Sequence, residues 1–240
     1  MEKQKRENRV KLYGVIIGLS SLAAQHGIYL LANTLAGVVG NEAILPIIDQ
    51  IDNAIPVLPI FIIPYVWAYL FWGMAPMAAS KCKTDHFKDF LAAYLIACAV
   101  GGLILVFVPT YMDRVAEGLW TRPQDNFLEK LLHFWYSLDG SERAYNLFPS
   151  FHCINSTVAW LAVFGRKEVP LWYRIYSFVL AALICVSTLF VKQHFIIDVF
   201  SGIAIALLAY VFCERFNAGR MFLKPIALCK KLFTKKEVSQ

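Results

Sequence analysis

His194 and Asp198 stand four residues apart in the run KQHFIIDVFSG, a little over one helical turn. At that spacing the carboxylate lies beneath the ring and accepts a hydrogen bond from one imidazole nitrogen, leaving the other free to attack. A nucleophilic histidine needs such a partner, because the carboxylate fixes the tautomer and stabilises the charge that develops when the ring takes up a phosphoryl group. The same pair also reads as a His and an Asp satisfying each other at a helix end. His152 follows Pro149 and Ser150 in FPSFH. Proline suits the first position of a helix, where the following N–H groups point outward at the positive end of the dipole and make a seat for phosphate. There His152 could protonate a leaving oxygen and the Ser150 hydroxyl could bond a phosphoryl oxygen.

Transfer of a phosphoryl group also needs cations to balance its equatorial oxygens. No cluster of residues has metal-ligand spacing, so no metal and no other cofactor is expected, and side chains must do this work. Lys192 and the arginines Arg114, Arg122 and Arg143 are the candidates, though each also reads as an anchor to lipid headgroups.

These residues have to be positioned by apolar elements. Of the 240 residues 58% are hydrophobic and 17% charged, more apolar than a soluble domain. Six stretches, at 12–36, 56–79, 89–112, 148–165, 170–191 and 194–214, approach the roughly 20 residues that cross a hydrocarbon core of about 30 Å. The expected fold is all-α: one polytopic membrane domain over 1–240 with six transmembrane helices, the chemistry-bearing motifs within 114–214 and a basic tail at 215–240. The first stretch is too long for a signal-peptide core and has no small-residue cleavage site, so it reads as a retained helix.

The net charge of +6 is unevenly spread. The N-terminal tail (Lys3, Lys5, Arg6, Arg9, Lys11), the second loop (Lys81, Lys83, Lys88), the fourth loop (Arg166, Lys167, Arg174) and the C-terminal tail (Arg215, Arg220, Lys224, Lys230, Lys231, Lys235, Lys236) hold 18 of the 23 basic residues. Cytoplasmic loops collect Lys and Arg, so both termini are expected in the cytoplasm and His152, His194 and Asp198 on the outer side, with the plasma membrane as the expected location. The basic tails suit anionic lipid headgroups and call for no nucleic acid. The oligomeric state is not legible.

In the third loop, DNFLEKLLHFWYSLDG sets Phe127, Leu128, Leu131, Leu132, Trp135 and Leu138 on one helical stripe, which predicts a short helix lying in the interface. A second such element is expected in NEAILPIIDQIDNAI of the first loop. Gln25 and His26 read as interhelical hydrogen-bonding residues, and His86 as cytoplasmic; none is expected to face the site. The six cysteines lack CxxC spacing and read as free thiols.

Together these motifs resemble the type-2 phosphatidic acid phosphatase superfamily, with its three blocks of a Lys then Arg-Pro, Pro-Ser-x-His, and Ser-Arg before a His and Asp four apart. Arg122 and Pro123, then Pro149, Ser150 and His152, then Ser187, His194, Asp198 and Gly202 fit. Two positions depart: Val115 stands where the first-block Lys falls, with Arg114 beside it, and Thr188 stands for the third-block Arg. STLFVKQHFIIDVFSG is closer to the inositol phosphorylceramide synthase branch. The resemblance implies His194 as nucleophile, His152 as acid, and no metal. The implied activity is hydrolysis of a phospholipid or prenyl (di)phosphate through phosphohistidine at the outer membrane face. Transfer of the headgroup to a second lipid is the alternative. Two further readings stay open: a transporter, and a catalytically silent lipid-binding homologue.

Overall fold

The computed structural model describes residues 12–44 and 49–222. Both terminal tails, with ten of the basic residues assigned to them and Cys229, lie outside the described residues, as do residues 45–48 of the first-loop element. What is described there is the short helix α2 (Asp49–Asp52).

Among the described residues five helical segments are long and apolar enough to cross a membrane: Gly14–Val39, Pro59–Ala79, Thr84–Phe107, Leu171–Phe190 and Ile196–Phe216. They correspond to α1 (Leu12–Val39), a 3₁₀ turn at Pro59–Phe61 running into α3 (Ile62–Ala79), α4 (Thr84–Phe107), α7 (Leu171–Phe190) and α8 (Ile196–Phe216). Their outward faces expose Leu30, Leu31, Trp67, Leu70, Leu103, Phe178, Phe200 and Leu208, an apolar coat suited to lipid.

The fourth expected span differs. It forms only the 11-residue α6 (Phe151–Leu161), about 16 Å long and so short of the hydrocarbon thickness. All its residues except Trp160 are buried, and it packs against α3, α4, α7 and α8. Its apolar character thus marks the centre of a helix bundle, where length need not match the bilayer. Ser150 is the N-cap, its hydroxyl accepting from the Cys153 N–H at 3.3 Å. Pro149 therefore lies before the cap, after a cis bond to Phe148, and not in the first turn.

The amphipathic run in the third loop is a helix, α5 (Phe127–Leu138), capped by the Asn126 side chain, which accepts from the N–H groups of Leu128 and Glu129. Leu128, Leu131, Leu132, Trp135 and Tyr136 pack into a second core with Ile62, Tyr65, Met112, Leu147, Val191 and Phe195. A two-stranded antiparallel ribbon, β1 (Tyr111–Asp113) with β2 (Arg143–Tyr145), completes this cap over one end of the bundle. α9 (Ala218–Phe222) closes the other end against α4. The five described cysteines are free.

Candidate active site

Close packing of α8 on the start of α6 brings the two histidine motifs together. Gly202 makes this possible: a Cβ there would lie 2.6 Å from the Ser150 carbonyl oxygen and 3.0 Å from Cys153 Cβ. The Ser150 N–H donates to the Asp198 carbonyl at 3.1 Å, fastening one helix start to the other. In consequence the rings of His152 and His194 come together, with centroids 6.4 Å apart and planes tilted by 55°.

His194 lies in the loop before α8. The Thr188 carbonyl accepts from the N–H groups of both Gln193 and His194, which fixes the loop. Asp198 is fully buried in the first turn of α8. Its Oδ2 accepts from the Phe195 N–H at 2.9 Å and meets His194 Nδ1 at 3.3 Å. The carboxylate is thus positioned by the helix N-terminus before it positions the ring. Because a carboxylate only accepts, His194 is the Nδ1–H tautomer when neutral and its Nε2 carries the lone pair. His152 stacks on Tyr65 at 4.1 Å and meets Trp72 edge-on at 5.0 Å. Its buried Nε2 has no hydrogen-bond partner among the described residues.

The pair opens into a cavity of about 280 Å³ bounded by Gln25, His26 and Tyr29 of α1, Tyr65, Tyr69 and Trp72 of α3, Trp135 and Leu138 of α5, Asp139, Tyr145 to Leu147, Phe151, His152, Gln193 and His194. Trp72 is ten residues into α3, so the cavity reaches about 15 Å down that helix. Gly14 and Gly18 of α1 meet Ser80 and the Gly73 carbonyl of α3, whereas further along α1 Ile28 and Ala32 lie against Gly102 of α4. Between these contacts the cavity is bounded by Gln25, His26 and Tyr29 of α1 and by Tyr65, Tyr69 and Trp72 of α3. This corrects the expectation that Gln25 and His26 stand away from the site: a mid-helix polar residue that lines a cavity cannot be told in sequence from one that bonds a neighbouring helix.

The cationic candidates are placed elsewhere, and no Lys or Arg is among the cavity's lining residues. Arg143 is exposed and pairs with Asp113 at 3.1 Å on the ribbon. Arg122 faces Glu129 at 3.9 Å beside a separate small cavity. Lys192 donates to the Asp52 carbonyl at 2.6 Å, and burial lowers its amine below the usual range. Ser187 and Thr188 are buried and turn their hydroxyls back onto their own helix, to the carbonyls of Ile184 and Cys185. Ser150 is fully buried and does not line the cavity.

Arg114 alone approaches, from behind the wall. It is fully buried, lies 4.6 Å over the Tyr136 ring, and donates to the carbonyls of Tyr136, Asp139 and Ser141, to Asp139 Oδ2 at 2.9 Å and to Gln193 Oε1 at 2.9 Å. A guanidinium has no acceptor, so the Gln193 carbonyl oxygen must face it and the amide Nε2 must face away. That Nε2, on a cavity-lining residue, is buried without a partner among the described residues. Gln193 was missed in the sequence because a polar residue beside a candidate nucleophile carries no signal until its partner is known.

A model of the PAP2 superfamily matches residues 58–212, well over half of the chain. The chain belongs to the PAP2 superfamily. No curated protein and no solved structure matches it. The match takes in α3 to most of α8 and leaves α1, which supplies one wall of the cavity, outside it. Within the matched region Arg114, beside Val115, donates to the Gln193 side chain, and the Gln193 N–H donates to the carbonyl of the buried Thr188. Among the described residues no three His, Cys, Asp or Glu side chains converge as metal ligands would.

Proposed function

We propose that the protein transfers a phosphoryl-bearing group from a membrane lipid through a covalent intermediate on His194. The observation that carries this is the histidine pair, one ring held through Nδ1 by Asp198 and the other aromatic-packed, its Nε2 without a partner among the described residues, with ring centroids 6.4 Å apart. His194 Nε2 attacks phosphorus as the P–O bond to the departing alcohol or phosphate breaks, and His152 gives that oxygen a proton. Water or a second hydroxyl, deprotonated by His152, then takes the group from His194. Asp198 stabilises the imidazolium that forms, and Gln193 Nε2 donates to a phosphoryl oxygen.

The lateral cleft between α1 and α3 suits a substrate arriving from the bilayer, and α6, although short, takes the place of the fourth of six transmembrane elements. In the same reading α5 lies at the outer interface, the site is extracytoplasmic and the termini are cytoplasmic, which the basic residues support. Hydrolysis of a lipid phosphate and transfer of a headgroup to a second lipid share this first half-reaction. The absence of Lys and Arg from the cavity lining favours transfer of a singly charged diester group over attack on a dianionic monoester.

The test is trapping. Purified protein is given phosphatidic acid, a prenyl diphosphate and phosphatidylcholine, each ³²P-labelled, with EDTA present, and quenched in alkali, in which phosphohistidine survives. Wild type is expected to carry label from one of them, and His194→Ala none. Equal turnover by His194→Ala would sink the assignment, while uptake of a lipid by a variant lacking both histidines would favour a transporter.

A further inference from the structure

We propose that the substrate's headgroup carries a quaternary ammonium, held in an aromatic box beside the phosphoryl site; this rests on the proposed function. Trp135 meets Tyr65 almost perpendicularly, at 6.0 Å between centroids and 83°, and Tyr69 at 5.8 Å and 49°. Tyr69 in turn meets Trp72 at 5.0 Å and 57°. The rings meet at angles and not in a stack, and all four line the cavity. Tyr65 uses one face on His152, at 4.1 Å and 17° between planes. The box therefore abuts the ring proposed to protonate the leaving oxygen. Trimethylammonium groups are held within about 6 Å of such ring faces, Trp best of all.

Charge agrees with the shape. The site holds two carboxylates, Asp139 in the wall and Asp198 beneath His194, and one guanidinium, Arg114, already paired with Asp139 at 2.9 Å. A phosphate monoester arrives with close to two negative charges and meets no lysine or arginine among the lining residues. A phosphodiester bearing a choline-type cation is neutral overall: its single negative oxygen finds Gln193 Nε2, and its cation finds the rings and Asp139. A primary ammonium would want a fan of hydrogen-bond acceptors, whereas the box offers mainly π faces. The cavity of about 280 Å³ lies at the small end of the roughly 300–1,000 Å³ range of ligand pockets, a headgroup's volume, with the acyl chains left in the bilayer beyond the α1–α3 cleft.

Binding to His194→Ala protein tests this without chemistry, so failure here and failure to trap phosphohistidine are separate results. In maltoside detergent, calorimetric titration compares dihexanoyl phosphatidylcholine with dihexanoyl phosphatidic acid and with free phosphocholine. The choline lipid is expected to bind at least tenfold more tightly than either. Adding Trp135→Ala should weaken the choline lipid about 3- to 30-fold and leave phosphatidic acid unchanged, and Trp135→Phe should recover most of the loss. Phosphatidic acid binding as tightly as the choline lipid, or a Trp135→Ala variant that weakens both lipids alike, overturns the proposal. Free phosphocholine binding as tightly as the lipid overturns the lipid as its source.

Discussion

Replacing Gly202 by alanine tests whether the fit of α8 on α6 sets the chemistry. The added Cβ would stand 2.6 Å from the Ser150 carbonyl oxygen, where ordinary contact begins at about 3.4 Å, so the two helix starts must part by about 0.8 Å. Both contacts on the α6 side are stiff: one is backbone and the other is the Cβ of Cys153. Parting stretches the 3.1 Å bond from the Ser150 N–H to the Asp198 carbonyl beyond bonding range, and carries His152 away from His194. Overpacking of this size costs about 1–3 kcal/mol of stability. Misplacing reacting groups by about 1 Å costs about 100-fold in rate, equivalent to about 2.7 kcal/mol of barrier. The assay is the initial rate of label transfer from the lipid identified by trapping, with thermal melting in detergent alongside. Turnover should fall about 10- to 100-fold in protein that still melts cooperatively below wild type. A Gly202→Ala enzyme with wild-type turnover would refute the claim that this contact holds the pair in register.

Three other outcomes follow from the same geometry. Arg114→Met removes a fully buried donor to three carbonyls, Asp139 Oδ2 and Gln193 Oε1; with these acceptors left short of a donor, melting should report a loss of about 1–3 kcal/mol, and an unchanged melting temperature would contradict it. Gln193→Met keeps the volume but loses the donor, and Gln193→Glu keeps the Arg114 contact while turning a negative charge toward the phosphoryl site; turnover should fall about tenfold or more for the first and further for the second, an order that kinetics can reverse. Burial raises the Asp139 carboxyl above its ordinary range, against the pull of Arg114 and of His194. Because the charged form is what attracts a cation, affinity of His194→Ala protein for the choline lipid should decline on acidification, beginning above the usual carboxylate pKa of about 3.9. In Asp139→Asn that decline should vanish, which titrations at several pH values can check.

The membrane character of the chain was legible because lipid-facing residues are apolar whatever they pack against, and five of the six expected spans are long apolar helices. The sixth, 148–165, failed as a length estimate because hydropathy cannot separate a helix sheathed by four others from one facing lipid. His152, His194 and Asp198 were readable as a unit from the local spacing of two short motifs. The basic residues were not, since a cation's role depends on what lies opposite. Lys192 sits two residues from His194 yet, at φ 50°, turns to the first-loop carbonyl of Asp52. Arg143 follows β2 outward to Asp113. The aromatic wall was least legible, because Tyr65, Tyr69 and Trp72 are spaced like any buried helix face, and only the path of α1 leaves them lining a space.

The two departures from the usual motif have one structural consequence. At Thr188 the side chain is buried and spent on its own helix, so that position offers no charge to a phosphate, but its carbonyl fixes Gln193. The Arg114 guanidinium is shut behind Gln193 and paired with Asp139. A phosphoryl oxygen therefore meets an amide polarised by a guanidinium instead of the guanidinium itself. Such a donor gives direction and a hydrogen bond, without the ion-pair attraction and bidentate geometry of a guanidinium. It favours an oxygen bearing one shared charge and gives little to a second. Selectivity by charge count would then arise at the phosphoryl end of the cavity independently of the rings that line the other end. Loss of the aromatic box should accordingly weaken the choline lipid without turning the protein into a monoester phosphatase.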